Sequence, residues 1–143
     1  MSGKFSSDRR LRKTDEFSSV FRMRPCVRTD HFILYARSNR LRQARLGIVV
    51  AKRFAQRAVT RNTIKRLCRE VFRQSPLPPL DCIIRLIAPI NMRHQSAMSK
   101  SMKQLLYREV THLIAQCEKN QKKKALHILR ERLGDFYFFL LFA

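Results

Sequence analysis

The sequence predicts an α+β fold, a two-layer α/β sandwich in which helices pack on a β-sheet. Two observations predict it. Segments with apolar residues at helical spacing alternate with short runs rich in β-branched and aromatic residues, in the order α-β-β-α-β-α. That order places one crossover helix between two strands, and a chain of 143 residues has the length of one domain with a sizeable core.

A short first helix is predicted after a basic N-terminal arm. Residues 1–13 are basic, contain serines and show no periodicity, so we expect a flexible arm. Thr14 has the residue type of an N-cap, and Asp15 and Glu16 fall in the first turn, where carboxylates stabilise a helix N-terminus. Pro25 ends the helix. Its apolar stripe consists of Phe17, Val20 and Phe21.

Strands are predicted at residues 31–38 (HFILYARS) and 45–51 (RLGIVVA), which are rich in β-branched and aromatic residues. A further short strand is predicted at residues 26–28. The prolines of residues 75–81 (SPLPPLD) predict an irregular loop. The last strand, residues 81–88 (DCIIRLIA), is almost continuously apolar, which is typical of a central strand covered on both faces.

The crossover helix is predicted at residues 58–74 (AVTRNTIKRLCREVFRQ), and it carries two stripes. Its apolar stripe is formed by Ile64, Leu67, Cys68, Val71 and Phe72. Its basic stripe is formed by Arg61, Lys65, Arg69 and Arg73, with Asn62 and Arg66 beside it. Like charges at this spacing repel by about 0.2–0.5 kcal/mol per pair, and within the helix only Glu70 relieves them. We therefore expect a polyanion outside the chain to supply the opposite charge.

The overall charge of the chain agrees with such a partner. The sequence has 31 Lys and Arg against 10 Asp and Glu, a formal net charge of +21. Such an excess destabilises a compact chain by self-repulsion, and solubility alone needs far fewer charges. A basic face that binds nucleic acid is therefore expected.

A last long helix is predicted from Ser96 or Ser99 to about Cys117. Its core side is formed by Met102, Leu105, Leu106, Val110, Leu113, Ile114 and Cys117. These bounds predict a domain over residues 14–118. Residues 119–143 are first basic and then apolar, and a helix is one possibility for the basic part, residues 119–132. Two interpretations of the segment stay open: contact with a lipid surface, or a frayed tail. The tail is favoured, because chain ends are the commonest sites of disorder.

The sequence contains no pattern of an enzyme active site. The glycines, Gly3, Gly47 and Gly134, are too few and too far apart for a phosphate-binding loop. The acidic residues are dispersed along the chain, so none are clustered to hold catalytic metals, and no serine lies in a Gly-x-Ser-x-Gly elbow. We therefore expect that this polypeptide by itself breaks no bond and binds no metal.

The cysteine pattern and the hydropathy of the sequence indicate the cellular compartment of the protein. The four cysteines have no CxxC spacing, and Cys68 and Cys117 fall on apolar helix faces. Buried free thiols are therefore expected rather than a zinc site or disulfides. The sequence has no signal peptide and no run of about 20 apolar residues, so no stable membrane insertion is expected. These observations predict a cytoplasmic protein.

Aromatic side chains offer a second kind of binding chemistry. Exposed rings on a sheet face can stack unpaired bases, at about 1–3 kcal/mol each. Phe32 shares a strand face with Leu34, so core packing is expected for it. For Phe17, Phe21 and Tyr35, core packing and base stacking both stay open, since Tyr35 falls on the opposite face of its strand.

Three motifs together resemble the signature of the bacterial ribonuclease P protein subunit. They are GIVVAKR (residues 47–53), RAVTRNTIKR (57–66) and REVFR (69–73). The DEFSSVF segment and the FILY strand fit the same family's pattern, so the resemblance covers residues 9–117. Basic helices are common, but this Arg-Asn-x-Ile-Lys-Arg block after that strand is specific.

The resemblance implies the fold of the second domain of ribosomal protein S5, with a left-handed β-α-β crossover against the usual right-handed preference. It implies a cytoplasmic subunit of an endoribonuclease, which partners a catalytic RNA and helps to remove the 5′ leader of precursor tRNA. The RNA is expected to perform the chemistry and to hold magnesium, and the protein to bind no cofactor tightly. No DNA partner is expected.

The resemblance also implies site residues. Contacts to the catalytic RNA are carried over to Lys52, Arg53, Arg57, Arg61, Asn62, Lys65, Arg66, Arg69 and Arg73. In this family the cleft between the first helix and the sheet holds the leader, which points here to Phe17, Phe21 and Tyr35. The family's Arg-Asn-Arg block has Thr63 as its third residue here, so one phosphate contact is expected to be missing or supplied by Arg57.

Two other classes of protein stay open. A structural RNA-binding protein of ribosomal type with this fold has no leader cleft, so Tyr35→Ala is expected to leave its function intact. A DNA-binding module is less favoured, because no helix-turn-helix, zinc-finger or heptad pattern is present.

Overall fold

The computed structural model describes residues 5–90 and 98–142, with side chains at all of these positions except 136–138 and 142. In chain order its elements are a 3-10 turn (Ser7–Arg9), α1 (Thr14–Phe21), β1 (Val27–Arg28), β2 (Phe32–Ser38), β3 (Arg45–Val49), α2 (Ala58–Arg73), β4 (Leu80–Leu86) and α3 (Lys100–Phe142). Every helix and strand predicted from the sequence is present, and the predicted α+β class is confirmed.

The four strands form one mixed sheet in the order β1-β2-β4-β3. β4 is antiparallel to β2 on one side and parallel to β3 on the other. Ile83 and Ile84 point to opposite faces of the sheet, and both are fully buried. The prediction of a central strand covered on both faces is therefore confirmed. α2 connects the parallel pair β3 and β4, as a β-α-β crossover requires, and the left hand of this crossover stays a prediction.

The two faces of the sheet are covered by different parts of the chain. The main core lies beneath α2 and α3, where Leu34 and Cys82 of the sheet share one buried cluster with Ile64 of α2. On the opposite face, Tyr35 and Ile83 form a smaller cluster with residues of α1. α1 therefore lies apart from the other two helices, on the face that the aromatic prediction concerns.

The N-terminal segment packs on the domain from Phe5 onward. Leu11 is 6% exposed, and its N–H donates to the carbonyl oxygen of Leu46 in β3 at 3.0 Å. The Phe5 ring meets the Phe72 ring edge to face, with 5.8 Å between centroids. This differs from the flexible arm expected over residues 1–13, whose first four residues lie outside the described part of the chain. These contacts, together with the Arg9 guanidinium, which donates to the carbonyl oxygen of Ala44 at 3.2 Å and lies over the Phe72 ring, hold the segment and produce no sequence periodicity.

α1 begins at Thr14, with Lys13 as its N-cap residue, so the prediction of Thr14 as the N-cap is wrong by one position. The Glu16 carboxylate reaches back over this end of the helix. It accepts from the backbone N–H of Arg12 at 3.1 Å and from that of Lys13 at 3.2 Å. An acidic residue of the first turn therefore stabilises the helix N-terminus, as predicted.

α3 is much longer than predicted, since it runs past Cys117 to Phe142. Ser99 precedes it, and its Oγ accepts from the backbone N–H of Met102 at 3.2 Å, so the helix starts where the second of the two predicted starts placed it. The first predicted start, Ser96, lies outside the described residues. Gly134 interrupts the helical geometry with φ of 73°.

The core side of α3 agrees with the predicted stripe except at one position. Its fully or almost fully buried residues are Leu106, Val110, Leu113, Ile114 and Cys117. Leu105 is 42% exposed, because it lies about 100° around the helix from the fully buried Leu106. Beyond Cys117 most side chains are exposed, and the role of residues 119–143 stays open.

Candidate nucleic-acid interface

α2 turns an apolar side to the sheet and a basic side outward. Ile64 and Cys68 are fully buried, whereas Asn62 and Arg66 are exposed. Lys65 lies at the border and is half-buried. The predicted apolar stripe is confirmed except that Leu67 is half-buried. The side chains of the predicted basic stripe are half-buried, and the exposed positions are those predicted beside it.

Two arginines of the basic stripe are engaged by the protein itself. Nη1 of Arg61 donates to the carbonyl oxygens of Ala55 at 3.0 Å and Gln56 at 2.7 Å. Nη2 of Arg73 pairs with Oε1 of Glu70 at 2.6 Å. Arg61 therefore closes the loop that enters α2, and both side chains are less free to meet an external phosphate than the sequence suggested.

The other residues predicted to contact RNA are freer to bind a phosphate. Within the described parts of the chain, no ion pair engages Lys52, Arg57, Lys65 or Arg66. The Arg53 guanidinium lies 4.6 Å from the centroid of the Phe54 ring, an arrangement that leaves its N–H groups available at the edge. These cations surround the N-terminal half of α2, where a phosphate chain can run between them.

Thr63, the third residue of the Arg-Asn-x block, faces its own helix. Its hydroxyl donates to the carbonyl oxygen of Val59 at 2.9 Å. The hydroxyl is therefore used within the helix. Arg57, the suggested substitute, is exposed at the residue just before α2, and its contact with a phosphate stays a prediction.

A small pocket connects α2 with the N-terminal segment and the sheet. Its volume is about 260 Å³. Its walls carry the cations Arg10, Arg12, Lys65 and Arg69, and its remaining lining is Leu11, Phe17, Leu46, Gly47 and Ile48. Burial, and then the charge of Arg10, lower the pKa of Arg69. Nε of Arg10 is buried without a hydrogen-bond partner among the described residues, so an anion is the group that this pocket favours.

Arg10 and Arg12 were missed by the sequence analysis, which placed them in a free arm. The only signal in the sequence was their charge, and basic residues fit an unstructured arm equally well. Their position depends on the burial of Leu11 between them.

The rings of Phe17, Phe21 and Tyr35 meet on the α1 face of the sheet. The centroids of Phe17 and Phe21 are 6.5 Å apart, and those of Phe21 and Tyr35 are 5.1 Å apart with the planes at 81°. All three residues are half-buried and pack around Ile83. The rings therefore contribute to the small core and also keep part of their surface accessible. Phe32 is fully buried, as predicted.

A charged network holds α1 against this face. Arg45 donates to Oε1 of Glu16 at 2.9 Å and to both carboxylate oxygens of Asp81 at 2.8 Å. Burial opposes ionisation of Glu16, but the hydrogen bonds from Arg12, Lys13 and Arg45 outweigh it and lower its pKa. The hydrogen bond to Asp81 raises the pKa of Arg45. These carboxylates therefore position the helix.

Among the remaining chemistry-bearing residues, the thiol of Cys117 hydrogen-bonds with those of Cys26 and Cys82. The four cysteines are free thiols. Cys68, Cys82 and Cys117 are buried, as predicted, whereas Cys26 is only half-buried. In residues 5–90 and 98–142, no group of three or more His, Cys, Asp or Glu side chains is placed to hold a metal ion. No helix in the described parts of the chain has the length and apolar character to cross a bilayer.

Comparison with known proteins agrees with the resemblance drawn from the motifs. The family model of ribonuclease P matches residues 5–110. The ribonuclease P protein component of Ralstonia pickettii (strain 12J) is 60% identical over 81 residues, which are 55% of this chain and 58% of that protein. The corresponding protein of Azoarcus sp. (strain BH72) is 47% identical over 107 residues, covering 73% of this chain and 89% of that protein.

Solved structures agree on the fold. The RNase P protein from Staphylococcus aureus superposes with a TM-score of 0.59 at 25% identity, covering 82% of this chain and 94% of that one. The RNase P protein from Thermotoga maritima gives a TM-score of 0.55 at 24% identity, covering 78% of this chain and 96% of that one. The resemblance inferred from the sequence motifs is thereby confirmed.

Proposed function

The chain belongs to the ribonuclease P protein family, and from this premise we propose that it binds two RNAs at once. It is the protein component of ribonuclease P, an endoribonuclease whose chemistry belongs to RNA. The basic side of α2 binds the catalytic RNA. The aromatic cluster of Phe17, Phe21 and Tyr35 receives the 5′ leader of precursor tRNA, and the maturation of tRNA places the protein in the cytoplasm.

The proposed contact with the catalytic RNA is electrostatic. Exposed cations such as Arg66 and Lys52 displace counterions from phosphates, and this release gives affinity that falls steeply with salt. Asn62, exposed beside Arg66, adds directional hydrogen bonds. Arg61 supports this surface from inside, because its bonds to two loop carbonyls hold the start of α2 in place.

The proposed contact with the leader combines stacking and charge. Half-buried rings supported by Ile83 offer preordered surfaces to unpaired bases, which any base sequence can use. Phe21 and Tyr35 stand nearly perpendicular, so the accessible parts of their rings point in different directions. A short single strand can therefore follow the face of the sheet along α1.

One observation carries the two-RNA proposal. Phe17 lines the same pocket as Lys65 and Arg69, so the aromatic cluster and the basic side of α2 meet at one place. A strand leaving the rings then passes directly between cations. The protein can thus screen phosphate repulsion where the two RNAs approach each other.

The chemistry is assigned to the RNA and its magnesium ions. Glu16 and Asp81 are bound to Arg45, and Glu109 is bound to His31 and Thr29, so these carboxylates serve the fold. Magnesium is expected to be held by RNA phosphates rather than by protein side chains. The alternative of a ribosomal-type structural protein is not favoured, because the family and its named relatives are ribonuclease P components.

The test is a reconstitution at low magnesium. Cleavage of a precursor tRNA is measured with the protein alone, with the catalytic RNA alone and with both. We expect no cleavage by the protein alone and faster cleavage by both than by the RNA alone. Cleavage by the protein without RNA, or an unchanged rate when it is added, would contradict the proposal.

A further inference from the structure

A second groove lies between α2 and α3, on the flank of α2 that faces away from the pocket of Lys65 and Arg69. Its volume is about 470 Å³, which lies in the range of pockets that hold small organic molecules. It is lined by Leu67, Lys100, Lys103, Gln104, Tyr107 and Arg108. None of these residues belongs to the motifs that identified the family.

The lining residues of α3 share one helix face. Counted from Lys100, the positions of Lys103, Gln104, Tyr107 and Arg108 are i+3, i+4, i+7 and i+8. This face adjoins the buried side of the helix, because Lys103 and Tyr107 lie two turns before the buried Val110 and Ile114, but Tyr107 is 42% exposed. A stripe with this spacing is normally apolar when it packs on a core. Here it is polar and basic around a single ring.

The charge of the groove is unbalanced. Its lining includes the cations Lys100, Lys103 and Arg108 and no carboxylate. Among the described residues, no ion pair engages any of the three. Glu109, the neighbour of Arg108, is occupied, because its carboxylate accepts from Thr29 Oγ1 at 2.8 Å and from the backbone N–H of His31 at 3.0 Å.

We infer that this groove binds an unpaired nucleotide of RNA. Tyr107 stacks on the base over the apolar floor of Leu67, and the cations contact the phosphates on either side. Gln104 can donate to or accept from the edge of the base. An exposed ring between cations is the combination that single-stranded nucleic acid requires, and its stacking tolerates any base.

The RNA is the catalytic RNA. Leu67 belongs to α2, and Arg66 immediately before it is exposed on the side proposed to bind that RNA. The groove therefore continues the same surface around the helix. This assignment rests on the proposed function, whereas the nucleotide chemistry of the groove rests on its own residues.

The test measures the affinity of the full chain for the catalytic RNA over a range of salt concentrations. Tyr107→Ala is expected to weaken binding by about tenfold with an unchanged salt slope, because stacking releases no counterions. Tyr107→Phe keeps the ring and is expected to stay within about twofold of the wild type. Lys103→Ala is expected to lower the salt slope by about 1.

Lys123→Ala is the matched control, since it removes an exposed lysine of the same helix about 30 Å from Lys103. It is expected to leave the affinity unchanged. Equal affinities of the wild type and Tyr107→Ala would overturn the inference, and so would a loss confined to precursor tRNA. If Arg66→Ala weakens binding and Tyr107→Ala does not, only the groove fails. If neither does, the proposed α2 contact fails as well.

A photoreactive phenylalanine analogue at position 107 provides a second measurement. Cross-linking to an unpaired segment of the catalytic RNA in the complex supports the inference. Cross-linking to no nucleotide of that RNA, with the complex formed, overturns it.

Discussion

The ring of Phe17 lies against Gly47, so that a β-carbon at Gly47 would stand 2.7 Å from both Cε1 and Cζ of the ring. Gly47 is the residue of β3 that pairs with Ile83 of β4, which the aromatic cluster covers. The absence of a side chain at this one position lets α1 approach the sheet. It also places the Phe17 ring at the pocket of Lys65 and Arg69.

Gly47→Ala is expected to destabilise the protein by about 1–3 kcal/mol, the usual cost of overpacking. The added methyl group must push the Phe17 ring away from the sheet. Chemical denaturation measures the free energy of unfolding. In the Phe17→Ala background the same substitution is expected to cost much less, and equal costs in both backgrounds would show that the ring does not cause the effect.

Arg66→Ala is expected to weaken binding of the catalytic RNA and to lower its salt slope by about 1. The side chain is exposed, so the stability of the protein is expected to stay within about 0.5 kcal/mol of the wild type. Filter binding at several salt concentrations checks both the affinity and the slope. Arg28→Ala, which removes an exposed arginine of β1, is the control and is expected to change neither.

Tyr35→Ala is expected to weaken binding of precursor tRNA with a leader by about 1–3 kcal/mol, because one stacking surface is lost. Affinity for mature tRNA and for the catalytic RNA is expected to be unchanged. Tyr35→Phe retains the contact with the Phe21 ring and serves as the control. Equal losses for substrates with and without a leader would contradict the assignment of this cluster.

Arg61→Ala is expected to lower the free energy of unfolding by about 1–2 kcal/mol, because the carbonyls of Ala55 and Gln56 lose a charged donor. Arg57→Ala removes an exposed arginine four residues earlier and is expected to have little effect on stability. Thermal denaturation of the two variants compares them directly. If both are as stable as the wild type, Arg61 acts through RNA alone.

The stability of the protein is expected to fall in acid through Glu16. Its pKa is lower in the folded chain than the ordinary value of 4.5, so it stabilises the fold above that pH, and this contribution is lost as the pH falls through the lower, folded value. Unfolding measured between pH 3 and 6 checks the slope. Glu16→Gln is expected to flatten it, and an unchanged slope would assign the acid sensitivity to other carboxylates.

Local periodicity allowed much of this molecule to be predicted. The apolar spacing of α2 determined both its helical form and which of its sides is buried, and Ile64 and Arg66 lie as that spacing requires. The almost continuous apolar run of β4 predicted its central place between β2 and β3. Such patterns can be recognised in a sequence because they involve residues that lie close together along the chain.

Parts of the interface were not predictable in this way. Leu11 and Phe5 are single apolar residues in a basic segment, and nothing near them in the sequence indicates that they are held by Leu46 and Phe72. The length of α3 was also missed. Its continuation past Cys117 is first basic and then apolar, and it lacks the regular apolar stripe that is the signal used to detect helices.

The sequence by itself determined the elements, the family motif and the charge that requires a polyanion, because all three are properties of short stretches of chain. Only the tertiary structure decided which charged side chains remain free to bind a polyanion. Arg45 is bound to Glu16, 29 positions away, and to Asp81, 36 positions away. Lys65 and Arg69 share a pocket with Arg10 and Phe17. These pairings depend on strand register and on how closely α1 approaches the sheet, and both are settled only when distant segments pack together.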